Sequence, residues 1–280
     1  MIFGLSVLFS PPVLANSSKI AELLELPEDR IDIGIAALTF AKEVFPNIDI
    51  EAYSKKLDLL AAKARRLAKG RQDPDGRIRA LNTLLYQVEG FGYDHSTAAD
   101  EKIENRFLNG ILDTKKGTCV TLPMLYLAVA QRLGYPVYPV AAPDHLFLRY
   151  VDDSLKEQNI EATSGGGYAS DETIIRDFHI SQHAIQRGAY LRTMTYRQFL
   201  ADLLAENAIF LSRNGNLDKA IGYLEKAVQI NPQFPDYYEL LRSCYAEKSK
   251  KVDGDLTRKY RSKADGYFRK AIELGLVPIR

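Results

Sequence analysis

Three residues of this sequence have the types and spacing for nucleophilic acyl chemistry: Cys119, His145 and Glu161. Cys119 comes directly before an apolar run, and the start of a helix favours a thiolate through its unpaired amides and positive dipole end. A histidine within hydrogen-bond reach of the thiol would take its proton and later protonate a leaving group. The pattern therefore indicates a cysteine nucleophile served by a histidine base.

A third polar group is needed to hold the imidazole, and two residues of the next strand are candidates. Glu161 follows His145 by 16 residues and is expected on the neighbouring strand, where its carboxylate would orient the ring. Asn159 lies two residues earlier on the same strand face and is the alternative orienter. The competing interpretation makes Cys119 an inert apolar filler, a role that suits Cys244 better.

The elements that must position these residues follow from the apolar pattern. The run from Val120 to Leu133 is apolar on nearly every side, which is typical of a buried helix. Pro123 has no amide hydrogen and must lie in the first turn, so the helix is expected to begin between Cys119 and Leu122. Short β-branched and aromatic runs predict strands at 137–142, 145–151 and 159–163. A buried helix followed by a meander predicts an α+β fold with a small antiparallel sheet.

Helical periodicity dominates the sequence on both sides of this core. Apolar residues recur at steps of three and four from Lys19 to Leu112, which predicts a helical N-terminal part. A small, large, small and proline pattern typical of a tetratricopeptide unit is formed by Ala220, Leu224, Ala227 and Pro232, and returns in part at Ala264, Phe268 and Ala271. We therefore expect a core with its helical N-terminal part at 16–195 and repeat helices at 196–280.

Composition excludes several classes of function. The 280 residues are 46% hydrophobic and 26% charged, an ordinary globular balance, and the formal net charge of +1 argues against a nucleic-acid partner. Two cysteines cannot build a disulfide framework or a cysteine zinc site.

His179 and His183 are four residues apart and, with Asp177, could be metal ligands on one helix face, but a pair of solvent-exposed histidines is the preferred interpretation. No metal and no cofactor are expected.

Residues 1–15 leave two interpretations open. Met1 to Phe9 is apolar, a Ser-Pro-Pro break follows, and Val13-Leu14-Ala15 is similar to a signal cleavage site, although basic residues are missing from its start. The segment is either an export signal or a buried or frayed terminus. Export would place the protein in the cell envelope, and otherwise it is cytoplasmic. No run is long enough to span a membrane in the mature chain.

Three blocks of the sequence resemble the transglutaminase-like superfamily: Lys116-Gly117-Thr118-Cys119, the run 143–148 around His145, and Ile160-Glu161-Ala162-Thr163. More narrowly, the chain is similar to bacterial members with a helical N-terminal part and C-terminal tetratricopeptide repeats, from about Leu24 to Leu274. The resemblance implies a papain-like core with Cys119 as nucleophile, His145 as base and Glu161 at the acid position, where many members carry Asp.

The residues and the resemblance together predict a cysteine-dependent amide-bond hydrolase or acyl-transferase with a thioester intermediate and a peptide or protein substrate. The repeat helices predict a protein partner, because stacked helix pairs form concave binding surfaces. The alternative is a non-catalytic protein-interaction scaffold that uses the same helices. Reactivity of Cys119 distinguishes the two, since a catalytic thiol reacts faster than a filler such as Cys244.

Overall fold

The computed structural model describes residues 12–99, 101–155 and 158–277 of the chain. Of the segment 1–15, predicted to be either an export signal or a buried or frayed terminus, residues 1–11 lie outside the described residues and the remainder begins the first helix. The N-terminal part consists of helices α1 (Pro12–Glu25), α2 (Ile33–Ala41), α3 (Ile50–Ala68) and α4 (Pro74–Asn82), followed by a π-helical segment, Thr83–Val88. The prediction of a helical N-terminal part is confirmed.

Local sequence explains where these helices begin and which face they bury. The side chain of Asp49 caps α3 by accepting a hydrogen bond from the Ala52 amide at 3.1 Å, which satisfies one of the unpaired amides of the first turn. Along α3 the apolar stripe of Leu57, Leu60 and Ala64 is buried, while lysines and glutamate occupy the exposed side. Burial of such a stripe, more than intrinsic propensity, stabilises a helix of this length.

The segment that carries Cys119 is built from short elements around one buried helix. These elements are β1 (Gly92–Tyr93), α5 (Leu108–Thr114), β2 (Lys116–Gly117) and α6 (Thr121–Arg132). Strands β1 and β2 form a parallel pair, with Gly92 opposite Lys116. Every residue of α6 from Thr121 to Ala130 is buried, as its all-round apolar sequence predicts.

A four-stranded antiparallel sheet follows α6. Its strands are β3 (Val137–Ala142), β4 (His145–Tyr150), β5 (Asn159–Glu161) and β6 (Gly167–Ala169), in the order β3-β4-β5-β6. The third predicted strand, 159–163, is shorter than expected because residues 162–164 turn into a 3₁₀-helix. The α+β class with a small antiparallel sheet on a buried helix is confirmed.

The remaining helices are α7 (Asp171–Asp177), α8 (Gln182–Gln186), α9 (Tyr196–Arg213), α10 (Leu217–Ile230), α11 (Pro235–Ser249) and α12 (Asp255–Leu274). Helices α9 to α12 pack each against the next, and α9 also packs on α2. Asn207 Nδ2 donates to the carbonyl oxygen of Phe40 at 3.0 Å, and Arg106 forms an ion pair with Glu206 at 2.5 Å. Buried residues of the C-terminal helices and of the core belong to one hydrophobic cluster.

Within the described ranges, no helix is both long and apolar enough to cross a membrane.

We expect a fragment containing only residues 196–274 to lack cooperative unfolding. Its α9 face, with Phe199 and Leu200 fully buried in the whole chain, would be exposed to water. The two repeat units that the sequence predicts would also be fewer than the roughly three that independent stability needs. Urea titration followed by circular dichroism, with the full chain as control, measures this. A sigmoidal transition of the fragment would contradict the expectation.

Candidate active site

Cys119 lies two residues before the first residue of α6, within a loop whose backbone is held on both sides. The Thr118 amide donates to the Thr121 hydroxyl oxygen at 2.9 Å, and the Thr121 hydroxyl donates to the carbonyl oxygen of Asn105 at 2.8 Å. Pro123 is in the first turn of α6, as its missing amide hydrogen requires. Cys119 itself is partly exposed, so an outside reagent can reach this end of the helix.

The loop before Cys119 is further fixed by Asp94. Its amide donates to the carbonyl oxygen of Gly117 at 2.9 Å, while its carboxylate accepts hydrogen bonds from Lys102 and Asn105, each at 2.8 Å. These donors hold the pKa of Asp94 well below its usual range. Gly117 is required here, because a Cβ would lie 2.6 Å from the Thr121 hydroxyl oxygen.

His145 opens strand β4, directly after the two-residue turn Pro143-Asp144 that joins β3 to β4. Asp144 adopts a φ of 51°, in the left-handed region that such a turn requires at this position. The Cys119 thiol donates to the carbonyl oxygen of Asp144, with the sulfur 3.7 Å from it. The loop that precedes α6 is therefore in direct contact with the turn that leads into β4 and His145.

Glu161 lies against the imidazole of His145. The distance from His145 Nε2 to Glu161 Oε2 is 2.7 Å. In the register of β4 and β5, Leu148 faces Ile160, so positions 145 and 161 are diagonal neighbours on one sheet face. A diagonal separation suits the long side chain of glutamate, which gives a physical reason for Glu at this position.

The carboxylate of Glu161 is held in its charged form. Burial disfavours the charged form and by itself would raise the pKa of Glu161. The hydrogen bond and charge of His145 and the hydrogen bonds from Thr163 have the opposite effect and outweigh burial, so the pKa of Glu161 is lowered. The Thr163 amide donates to Glu161 Oε1 at 3.0 Å, and the Thr163 hydroxyl donates to the same oxygen. An ionised, anchored carboxylate is what fixes the orientation of an imidazole.

An aromatic ring covers the other side of the histidine. Phe178, at the end of α7, stacks on His145 with ring centroids 4.4 Å apart and planes 14° from parallel. The side chains of His145 and Glu161 are only 8% and 16% exposed. This burial strengthens the hydrogen bond between them, because water is largely excluded. Sequence reasoning missed Phe178 and Thr163, since neither lies in a pattern that marks contact with residue 145.

The alternative orienter, Asn159, makes different contacts. Its side-chain oxygen accepts from Arg149 Nε at 2.8 Å, and its Nδ2 donates to Asp171 Oδ1 at 2.7 Å. Arg149 and Asp171 also bond each other at 2.9 Å, so Asn159 belongs to a three-residue network around Arg149, near the far end of β4 from His145. In this arrangement the imidazole nitrogen Nε2 is bonded to Glu161.

The other predicted candidates lie elsewhere. His179 follows α7, whereas His183 is in α8 and its Nε2 is 2.8 Å from the carbonyl oxygen of Glu273, so the two histidines do not share a helix. In the part of the chain that the structure describes, no group of three or more His, Cys, Asp or Glu residues could hold a metal ion. Cys244 is buried in α11, and that burial raises the pKa of its thiol to about 11.

The lowered pKa of Glu161 predicts a pH dependence of stability. A group with a depressed folded-state pKa stabilises the fold above its ordinary value of 4.5 and loses that effect as the pH falls through the folded-state pKa. We therefore expect Glu161→Gln to lower the free energy of unfolding at pH 7 and to differ less from wild type at pH 3. Urea titrations at both pH values measure this. An equal difference at both would show that the ionised carboxylate adds no stability.

Comparison with known proteins identifies the family of the chain. The family model of the transglutaminase-like superfamily matches residues 51–205, more than half of the chain. The chain belongs to this superfamily. The matched range includes the three predicted site residues, Cys119, His145 and Glu161.

Bacterial UPF0162 proteins are relatives of the chain. The UPF0162 protein of Xylella fastidiosa (strain Temecula1) is 25% identical over 134 residues, which cover 48% of this chain and 47% of that protein. The UPF0162 protein of Pasteurella multocida is 26% identical over 197 residues, 65% of this chain and 67% of that protein. The chain spans about half the length of the first of these curated relatives. A crystal structure of menin is similar with a TM-score of 0.47 and 14% identity, over 92% of this chain and 69% of menin.

Proposed function

We propose that the protein is a cysteine-dependent amide-bond hydrolase or acyl-transferase that forms a thioester on Cys119. The observation that carries the proposal is the 2.7 Å contact between His145 and Glu161 beside a cysteine thiol that bonds the residue preceding His145. Membership of the transglutaminase-like superfamily supports cysteine-dependent hydrolase or transferase chemistry.

The hydrogen bonds of the imidazole decide the role of each ring nitrogen. Because Nε2 is bonded to the Glu161 carboxylate, that nitrogen carries the proton in the neutral ring and Nδ1 carries the lone pair. Nδ1 is therefore the nitrogen that would take the Cys119 proton. Glu161 would stabilise the imidazolium that results, while Phe178 keeps the ring in place.

The proposed reaction has two halves. The thiolate of Cys119 attacks the carbonyl carbon of a carboxamide or peptide bond, and the tetrahedral oxyanion is stabilised by the Cys119 backbone amide. The C–N bond then breaks, the leaving amine takes the proton from His145, and a thioester remains. In the second half His145 removes a proton from water or from an acceptor amine, and that nucleophile attacks the thioester carbonyl. The C–S bond then breaks, the Cys119 sulfur takes the proton back, and the product leaves as an acid or as a new amide.

A labelling experiment tests this proposal without knowledge of the natural substrate. The full chain is incubated with a glutamine-containing peptide or a peptide thioester, with and without a fluorescent primary amine, and intact masses and products are recorded. We expect an acyl adduct on Cys119, with release of acid for a hydrolase or labelled amide for a transferase. The variant Cys244→Ser, as matched control, should form the same adduct. No adduct with any of these donors would contradict the proposal.

A protein partner at helices α9 to α11 is a second proposal, supported by a groove between them. The groove has a volume of about 420 Å³ and is lined by both apolar and charged side chains, among them Leu224, Arg242 and Glu247, and by none of the three site residues. A non-catalytic scaffold would rely on this surface alone. If the Cys119→Ala variant complements a deletion strain as well as wild type does, the scaffold is favoured. If wild type complements the strain and Cys119→Ala does not, the enzyme is favoured.

A further inference from the structure

We propose that Glu206, on α9, is a positioning residue for the Cys119 loop, residues 118–120 between β2 and α6, which it holds through a buried ion pair with Arg106. The inference rests on the proposed function above, because it concerns the placement of the nucleophile beside His145. It gives the C-terminal helices a part in the active site, since Arg106 belongs to the core and Glu206 to the helices beyond it.

The main-chain carbonyl oxygen of Asn105 anchors the Cys119 loop. It accepts hydrogen bonds from the Thr121 hydroxyl at 2.8 Å and from the Thr118 hydroxyl at 3.4 Å. The Thr118 amide in turn donates to the Thr121 hydroxyl oxygen at 2.9 Å. All three residues are buried, so these bonds are made away from water, where they are strong. The position of the Asn105 carbonyl group therefore decides where the residue after Thr118, the nucleophile, lies.

That carbonyl group belongs to the same planar peptide unit as the nitrogen and Cα of Arg106. A side-chain contact that fixes Arg106 therefore also limits the rotation of the Asn105 carbonyl group. The unit closes a short 3₁₀-helix, Ile103–Arg106, a form with weaker hydrogen-bond geometry than an α-helix, so contacts from outside must hold it. On one side this support comes from the Asn105 side chain, whose Nδ2 donates to Asp94 Oδ2 at 2.8 Å.

On the other side the support comes from α9. Arg106 Nη2 donates to Glu206 Oε2 at 2.5 Å, and the two side chains are only 14% and 11% exposed. Arg106 Nε is buried and has no hydrogen-bond partner among the described residues. A charge in such surroundings is costly without a partner, and the Glu206 carboxylate supplies one. Without Glu206 the guanidinium group would turn toward water, and the peptide unit that carries the Asn105 carbonyl group would move with it.

The next residue of α9 offers a matched control. Asn207 is also buried, and its Nδ2 donates to the carbonyl oxygen of Phe40 at 3.0 Å and to Glu43 Oε2 at 3.1 Å. Both acceptors belong to α2 and the residues just after it. Removal of either side chain, Glu206 or Asn207, should weaken the contact between α9 and the core. Only the removal of Glu206 should displace the Cys119 loop.

Alkylation of Cys119 in the full chain, measured at two pH values, provides the test. Wild type and variants react with iodoacetamide at pH 6 and pH 8, and peptide mapping by mass spectrometry gives separate rates for Cys119 and Cys244. For Glu206→Ala we expect the Cys119 rate at pH 6 to fall about tenfold, because small misplacements of reacting groups cost up to about 10²-fold. The rate at pH 8 should fall less, since an ordinary thiol is partly ionised there without a base. Weaker packing alone does not produce this pH dependence.

Two further variants show whether the effect passes through Arg106. Glu206→Gln keeps an acceptor oxygen at the same reach and should stay within about threefold of the wild-type rate at pH 6. Arg106→Ala should lower the rate as Glu206→Ala does. The double variant should be no slower than either single variant, because both act through one contact. Losses that multiply in the double variant would overturn the proposal.

Cys244 reports on general loosening of the C-terminal helices. It is buried in α11, which packs against α9, so loosening would accelerate its alkylation. We expect its rate to be unchanged in Glu206→Ala, and both cysteine rates to be unchanged in Asn207→Ala. If Glu206→Ala does not fold, Glu206→Asp takes its place, since it keeps the charge but withdraws the carboxylate by one methylene. It should lower the Cys119 rate at pH 6 by about threefold or more, with a smaller change at pH 8.

The outcomes separate this proposal from the function on which it rests. A wild-type Cys119 that reacts at pH 6 no faster than in His145→Ala would overturn both. A His145-dependent Cys119 whose rate at pH 6 is unchanged in Glu206→Ala, or falls equally in Asn207→Ala, would overturn only the role of Glu206.

Discussion

Replacing Cys119 with alanine is expected to remove acyl-enzyme formation and turnover of a peptide carboxamide, a loss of about 10³-fold or more. The proposed reaction passes through a covalent bond to this sulfur, and the described structure brings no second thiol to His145, since Cys244 is buried in α11. The measurement is product release from a glutamine-containing peptide, together with the intact mass of the protein.

The matched control is Cys244→Ala, which should keep full activity, with its stability lowered through loss of a buried side chain. Equal stability of Cys119→Ala and wild type would exclude unfolding as the cause of the loss. Turnover by Cys119→Ala at the wild-type rate would show that the sulfur is not the nucleophile.

Replacing His145 with alanine is expected to lower turnover by about 10²–10⁴-fold, the range of general acid–base catalysis. His145 is the imidazole bonded to Glu161, and its ring is placed at the start of β4 next to the turn that contacts Cys119. The variant His183→Ala is the matched control, because His183 is also bonded through Nε2 but to the Glu273 carbonyl, far along the chain from the site.

Addition of free imidazole to His145→Ala gives a further check. The alanine leaves space beside Phe178, and an exogenous base in that space should restore part of the activity. Equal activity of His145→Ala and His183→Ala would contradict the assignment of His145 as the base.

Much of the core could be predicted because its signals are local. The all-round apolar sequence of 120–133 and the position of Pro123 fix a buried helix that begins just after Cys119. The runs at 137–142 and 145–151, separated by Pro143-Asp144, predict two strands, and the structure pairs them as a hairpin in which the second strand begins at His145 and ends one residue earlier, at Tyr150. Glu161 followed from triad logic, and the register explains how it reaches the imidazole.

The rest of the site depends on contacts between distant parts of the chain, which local patterns do not encode. Phe178 stacks on His145 from the end of a short helix, and Asp94 supports the loop of Cys119 from a separate turn. The strand at 159 ends early because the Glu161 side chain accepts from the Thr163 amide and so caps a 3₁₀-helix. The tetratricopeptide assignment, the boundary at residue 196 and the export signal stay predictions.

The central claim is that His145 activates the Cys119 thiol, and the pH dependence of alkylation tests it most directly. The rate of Cys119 with iodoacetamide is measured from pH 5 to 8 in wild type and in His145→Ala. We expect the wild-type rate to change by less than about threefold between pH 8 and 6, and the rate in His145→Ala to fall by about tenfold per pH unit, as for an ordinary thiol. A wild-type rate that also falls tenfold per unit would contradict the claim.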